Sequence, residues 1–198
     1  MPTIFCIGKN YEAHIREMGA PSPRTGTPVV FLKPWQALLR PPAPIRLPAP
    51  AGEVHHEVEL VIEVGDGGEV AAAGLGLDLT DRTRQRAARS EGLPWTEAKG
   101  FRGSAPLGPL LPVAVLGPLD ALTFSLEVNG TLKQRGETHH MLHPLPNLLD
   151  HLRNWFGLEA GDLVFTGTPA GVGPIRSGDV LDITLHGYPD AAARFEVE

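Results

Sequence analysis

The sequence predicts an α+β chain that is mainly β with a few short helices, and three observations carry that reading. Its 198 residues include 23 glycines and 20 prolines, so turns must be frequent and a bundle of long helices is disfavoured. Its apolar residues fall in runs of strand length, among them Ile4 to Ile7, Val58 to Ile62 and Leu163 to Phe165. Between the alternating segments Leu122 to Val128 and Thr131 to Gln134 stands Asn129-Gly130, the pair that a type I′ hairpin favours because both central residues take positive φ.

In chain order, Ile4 to Ile7 is a short buried strand in which Cys6 serves as a small hydrophobe. Gly8-Lys9-Asn10 breaks it before a helical segment, Tyr11 to Met18, which Gly19 stops. His14 and Glu17 are three apart, so a helix places them on one face, where the carboxylate can orient the imidazole and raise its basicity. An ordinary surface pair fits the same spacing. Ala20 to Pro28 is a lid-like loop, and Pro28 to Pro34 a strand ending in Lys33. The prolines at 41, 42, 44, 48 and 50 require extended backbone at an edge.

His55-His56-Glu57-Val58-Glu59-Leu60-Val61-Ile62 is the central run. On a strand, Glu57 and Glu59 share one face while Val58, Leu60 and Ile62 take the other. Two carboxylates so close repel, and a divalent cation is one way to make their burial favourable. A wet acidic face continued by Glu63 is the other reading. After a turn at Gly65 to Gly68, the small-residue run Val70 to Leu79 is a strand that delivers Asp78, followed by a helix behind a Thr80 or Asp81 cap. Gly92 to Phe101 is irregular and carries Lys99. His139, His140 and His143 lack the Glu of a zinc motif and precede Pro144, so they are expected to be exposed or to lead into the helical stretch Leu145 to Phe156. Thr166 to Pro174 is a Gly-Thr loop able to present N–H groups to an anion, and Val180 to His186 and Arg194 to Val197 are the last strands.

Composition narrows the function classes. A formal net charge of −6 with scattered basic residues argues against a nucleic-acid surface. No run approaches the ~18 apolar residues of a spanning helix. The single cysteine excludes an intrachain disulfide and a cysteine zinc cluster, which fits a cytoplasmic location. The length suits one domain, residues 1–198, within which 1–45 form an N-terminal lid and strand region.

An ordered set of blocks then resembles the fumarylacetoacetate hydrolase family: Gly8-x-Asn10-Tyr11-x-x-His14-x-x-Glu17, Phe31 to Pro34, His56-Glu57-x-Glu59, Asp78-x-Thr80, Pro94-Trp95-x-x-Ala98-Lys99-x-Phe101, Val128 to Gly130 and Thr166 to Gly173. The resemblance is to its short, single-domain members, the acylpyruvate hydrolases, oxaloacetate decarboxylases or tautomerases and catechol-pathway decarboxylase/isomerases. It implies a mixed β-sandwich roll and a homodimer. It implies Mg²⁺ or Mn²⁺ on Glu57, Glu59 and Asp78, a ligand set that suits hard cations. It further implies Lys99 at the developing enolate or carbonyl oxygen, and the His14/Glu17 pair activating water or moving a proton. Thr168, Gly167 and their loop would hold the substrate carboxylate, with Gln85 and Arg82 beside the substrate.

The activity so implied is C–C hydrolysis, decarboxylation or keto-enol tautomerisation of a small 2-oxo or 2,4-dioxo acid. Isomerisation with decarboxylation of 2-hydroxyhepta-2,4-diene-1,7-dioate in aromatic catabolism, or a non-catalytic binding role, are the alternatives. Three departures from the family pattern bear on the site. Asp81 and Thr83 exchange the carboxylate position that relatives show, Lys9 replaces a frequent arginine, and the span from Glu59 to Asp78 is short, which removes scaffold from beside the proposed metal.

Overall fold

The computed structural model describes residues 2–19, 26–50 and 52–198. Most of the lid-like loop expected at Ala20 to Pro28 lies outside the described residues. The strands are β1 (Ile4–Gly8), β2 (Val29–Lys33), β3 (Leu38–Leu39), β4 (Val54–His56), β5 (Val58–Val64), β6 (Val70–Leu77), β7 (Thr80–Asp81), β8 (Ala105–Pro112), β9 (Thr123–Val128), β10 (Thr131–Glu137), β11 (Leu163–Phe165), β12 (Gly173–Pro174), β13 (Val180–Leu185) and β14 (Ala193–Glu196). The α-helices are α1 (Glu12–Glu17), α2 (Arg82–Glu91), α3 (Thr96–Lys99) and α4 (Leu145–Phe156). This is the mixed, mainly β architecture that the sequence predicts.

Three sheets form, in the orders β2-β1-β11-β5-β6-β8-β3, β10-β9-β13-β14 and β12-β4-β7. The β5 strand shows why the first two pack on each other. Val58, Leu60 and Ile62 are fully buried and join Phe124, Leu126, Leu181, Ile183 and Phe195 of the four-stranded sheet, closed at one side by Leu148 and Leu152 of α4. Val61 points the other way, into a smaller core with Ile4, Cys6, Leu107 and Phe165. Alternation along one strand therefore feeds two cores, and Glu59 stands on the face of the smaller one. Cys6 is the buried hydrophobe expected of it.

The chain changes sheets at Glu57. β4 pairs with β12 and β7, β5 pairs with β11 and β6, and the residue between them belongs to neither. β5 and β6 form an antiparallel hairpin with Val58 opposite Leu77 and Val64 opposite Val70. The short turn at 65–69 is thus at the closed end of the hairpin, and Glu57, Glu59 and Asp78 are at its open end. The expectation that shortening removes scaffold from beside the carboxylates is corrected by this register: seven residues of β5 separate the two ends.

Two elements depart from the sequence reading. β8 contains Pro106, Pro109 and Pro112 and gives no alternating signal. It forms because the register slips between its contacts with Gly74 and Gly76, which leaves Pro109 without a ladder bond to supply. The region holding Lys99, expected to be irregular, closes into the four-residue α3, too short for helical periodicity to register. The Asn129-Gly130 turn is as expected, with φ of 52° and 72°. Among the described residues no helix is long and apolar enough to cross a membrane.

Candidate active site

Glu57, Glu59 and Asp78 converge at the open end of the β5–β6 hairpin. Asp78 follows β6 directly, and its N–H donates to the Glu57 carbonyl at 2.8 Å, which fixes the two residues side by side. Each of the three offers an oxygen within 4.8 Å of the others, and all are buried. The wet acidic face that the spacing also allowed is therefore excluded for Glu57 and Glu59, while Glu63, farther along β5, is half-buried.

Three buried cations face these three carboxylates. Lys99 Nζ donates to Glu57 Oε2 at 2.9 Å and to Asp78 Oδ2 at 2.5 Å, and lies 4.8 Å from the centre of the Phe31 ring. Arg82 bonds Glu57 through Nη2 and donates through Nη1 to Gln85 Oε1 at 2.8 Å. Lys33 Nζ stands 2.8 Å from Asp78 Oδ1. It also reaches the carbonyls of Leu79 at 3.2 Å and Ser104 at 3.0 Å, the Ser104 hydroxyl at 3.1 Å, and the carbonyl of Lys99. Lys33 thereby ties the strand that ends in it to the segments carrying Asp78 and Lys99.

The compensation is uneven. Burial would raise the Glu57 carboxyl, but Lys99 and Arg82 outweigh it and hold the group well below the ordinary carboxylate range. Lys99 is shifted the other way: burial opposes its charge, and Asp78 and Glu57 more than restore it. Glu59 receives one hydrogen bond, from Gly167 N–H at 2.8 Å. Burial and the neighbouring Asp78 and Glu57 push its carboxyl well above the usual value. Asp78 Oδ1 is buried without an aligned hydrogen bond among the described residues. An under-compensated carboxyl at Glu59 beside the carboxylates of Glu57 and Asp78 forms an all-oxygen donor set that fits a hard divalent cation.

The remaining predicted residues gather around this set. Among the residues lining a cavity of about 80 Å³ are His14, Glu57, Glu59, Asp78, Arg82, Gln85, Lys99 and Thr168. Gly167 joins them through Glu59. Only glycine fits there, since its φ is +103° and a Cβ would lie 2.7 Å from Cβ of Asn10. Asn10 in turn donates to the Thr166 carbonyl at 2.7 Å. His14 is buried, and burial lowers its pKa despite the nearby Glu57 carboxylate, so the imidazole is neutral at pH 7. Its Nδ1 lies 3.5 Å from Glu17 Oε2, and the Glu17 carboxylate accepts from Gly171 N–H at 3.0 and 3.1 Å. His14 thus sits at the cavity wall, while Glu17 is exposed and bonds the 166–173 loop. Helix α1 rests on the 166–173 loop.

The departures at 81 and 83 have a local explanation. The Asp81 side chain caps α2 by accepting from Arg84 N–H at 3.0 Å, and Thr83 Oγ1 accepts from Glu53 N–H at 3.1 Å. Of the N–H groups at the start of α2, that of Arg84 is thus taken up by the chain itself. Phe31 and Trp95, in edge contact at 6.3 Å, form an apolar wall; Lys9, noted as standing in for an arginine, also lines the cavity, as do Met18 and Arg89, which no sequence signal singles out. Beyond that wall lies a larger groove of about 910 Å³ whose lining contains no carboxylate among the described residues. His139 and His140 are exposed, as expected, and lie beside Glu137 away from this site.

The sequence model of the family described as fumarylacetoacetate (FAA) hydrolase C-terminal matches residues 3–196. The oxaloacetate tautomerase of Escherichia coli (strain K12) is 41% identical over 196 residues, covering 93% of this chain and 89% of its own. A mitochondrial oxaloacetate tautomerase of Mus musculus is 38% identical over 205 residues, covering 98% and 91%. The crystal structure of fumarylpyruvate hydrolase from Pseudomonas aeruginosa in complex with Mn²⁺ and pyruvate superposes with a TM-score of 0.92 at 34% identity, covering all of this chain and 89% of that one.

Lys33 was noted only as the end of a strand, yet it is the most buried cation of the group. Replacing it by Met would remove the ammonium from Asp78 and from four further buried oxygens. Lys33→Met is expected to lower unfolding free energy by about 3–5 kcal/mol, the cost of breaking a buried pair. Denaturant titration checks this, and a loss below about 1 kcal/mol would show that Lys33 is not what holds Asp78.

Proposed function

The chain belongs to the fumarylacetoacetate (FAA) hydrolase C-terminal family, and on that premise we propose that it is a divalent-metal-dependent enzyme that tautomerises or decarboxylates a small 2-oxo dicarboxylic acid of the oxaloacetate type. Members of the family carry the names of tautomerases, decarboxylases and hydrolases, and the chain is an enzyme among them. The observation that carries the reading is the joining of three buried carboxylates, a buried ammonium and a neutral imidazole in one small cavity. A binding protein has no use for a buried neutral base beside such a set.

Glu57, Glu59 and Asp78 would hold Mg²⁺ or Mn²⁺. Bound there, the cation would polarise the 2-oxo group and offset negative charge as it develops on that oxygen. His14, neutral and steadied by Glu17, would take a proton from the carbon next to the carbonyl and return it. Lys99 would stabilise the developing oxyanion, its own charge secured by Glu57 and Asp78. Arg82 and Gln85, already bonded to each other, would orient the acid, and the N–H groups of the 166–173 loop would receive its carboxylate. The 2,4-dioxo alternative, C–C hydrolysis of a fumarylpyruvate-like acid, is favoured by the likeness to the Pseudomonas aeruginosa enzyme. The assembly carried over with the resemblance is a homodimer in the cytoplasm, and sedimentation velocity reads the assembly directly.

Ultraviolet absorbance with oxaloacetate, acylpyruvate and fumarylpyruvate side by side, with and without Mn²⁺, tests the activity. Metal-dependent turnover of oxaloacetate is expected, and no turnover of any of the three with metal would reject the reading. Lys99→Met should lower that turnover about 10²- to 10³-fold while Mn²⁺ still binds. A change in KM alone would make Lys99 a uniform binder of substrate.

Glu59 supplies a pH-dependent check. Its folded pKa is raised above the unfolded value, so without metal the native state loses stability as pH rises from the ordinary carboxyl value toward the raised one. Mn²⁺ must displace that proton, so the metal-induced rise in Tm is expected to grow from pH 5.5 to pH 8. Glu59→Gln should melt no lower than wild type without metal and lose the Mn²⁺ response. A mutant with an undiminished Mn²⁺ shift would remove Glu59 from the site.

A further inference from the structure

We propose that Gln134 is a positioning residue that locks the strand bearing Glu57 and Glu59 to the 166–173 loop, and so sets both metal affinity and substrate affinity from outside the cavity. Gln134 lies on β10 at a register break: Leu132 pairs with Glu127 and Gln134 with Leu126, which leaves Lys133 as an extra residue. Such a bulge re-aims the following side chain. Gln134 is turned inward and is 1% exposed, on a strand whose neighbouring residues Lys133 and Arg135 are exposed.

Its amide is fully used. Oε1 accepts from Val58 N–H at 3.0 Å and from His56 Nδ1 at 3.0 Å, and Nε2 donates to Thr168 Oγ1 at 2.8 Å and to the Pro169 carbonyl at 2.9 Å. Thr168 Oγ1 donates to the Val58 carbonyl at 2.9 Å. Val58, Gln134 and Thr168 therefore close a ring of three hydrogen bonds, and Val58 is the residue between the two carboxylates. Its N–H and its C=O are both held by this ring. No other side chain of similar size offers two acceptor positions and two donors at one end without a charge.

The ring also decides what Thr168 can present. Its one proton is committed to Val58, so the hydroxyl cannot donate to a substrate carboxylate, and since the N–H groups of Thr166, Gly167 and Gly171 are given to Leu60, Glu59 and Glu17, the loop's other N–H groups are what remains. The loop is pressed against the bulge that carries Gln134, since a Cβ at Gly171 would lie 2.0 Å from the Lys133 carbonyl and the φ there is +97°. Gly171 is also the residue bound by Glu17, so α1 rests on a loop whose place is set through Gln134.

This inference rests on Glu57, Glu59 and Asp78 being the metal site and on 166–173 receiving the substrate. The test uses the full chain as Gln134→Met, Thr168→Val, Thr168→Ser and the double variant Gln134→Met/Thr168→Val. Removing the amide of Gln134 is expected to weaken Mn²⁺ binding about 10- to 100-fold by calorimetry, the range for groups that orient ligands. At saturating Mn²⁺, KM for oxaloacetate should rise about tenfold with kcat within about threefold, because a carboxylate held alike in ground and transition states is uniform binding. Thr168→Val should reproduce these changes, the double variant should be no worse than either single one, and Thr168→Ser, which keeps the hydroxyl, should bind Mn²⁺ more tightly than Thr168→Val. In metal-free protein, amide exchange should rise at Val58 and 166–173 without a global change.

Folded variants with unchanged Mn²⁺ affinity and KM would overturn the proposal, as would additive effects in the double variant or a fall in kcat alone. Should Gln134→Met not fold, Thr168→Val decides from the other corner of the ring. Wild-type protein that takes up no Mn²⁺ would refute the metal reading, and the exchange at Val58 and 166–173 would still decide the role of Gln134.

Discussion

Burying three carboxylates within reach of one another is the constraint on which the rest of this structure depends. An ionised carboxylate moved out of water costs several kcal/mol even after relaxation, and like charges add to that cost. The fold answers with Lys33, Lys99 and Arg82, each buried and each supplied by a different element. β2 ends in Lys33, α3 ends in Lys99 and α2 begins with Arg82. The arrangement of these elements around the β5–β6 hairpin is thus bound to charge compensation as much as to packing.

The compensation stops short at Glu59. Glu57 and Asp78 share Lys99, and each has a further cation, whereas among the described residues Glu59 has the Gly167 N–H alone. A site balanced for its own sake would distribute its cations evenly. A site that leaves one carboxyl held up in pKa beside two further carboxylates is arranged for a positive partner from outside. Burial separately lowers the pKa of His14 at the cavity wall, which favours the uncharged base that proton transfer near pH 7 requires.

Much of this was legible in the sequence because it rests on short-range geometry. Glu57 and Glu59 share a face through the two-residue period of a strand, His14 and Glu17 meet through a helical turn, and Asn129-Gly130 dictates its own hairpin. The contacts of Lys33 span 45 to 71 residues, and no local pattern distinguishes it from any lysine at a strand end. Gln134 was hidden differently. On an unbroken hairpin, alternation cannot tell which of Lys133 and Gln134 turns inward, and the bulge that decides it packs against Gly171 from across the chain. The short 65–69 turn looked harmful from sequence because distance along the chain is not distance from the site. Only the antiparallel register of β5 and β6 shows that the turn and the carboxylates lie at opposite ends.

The most direct measurement is a crystal structure of the Mn²⁺-soaked protein with data collected at the manganese absorption edge. One anomalous peak bonded to oxygens of Glu57, Glu59 and Asp78 is the result that follows from the unbalanced charge at Glu59. A protein that carries no peak there, or a peak only at Glu137, His139 and His140, would show that the three carboxylates are balanced by Lys33, Lys99 and Arg82 alone.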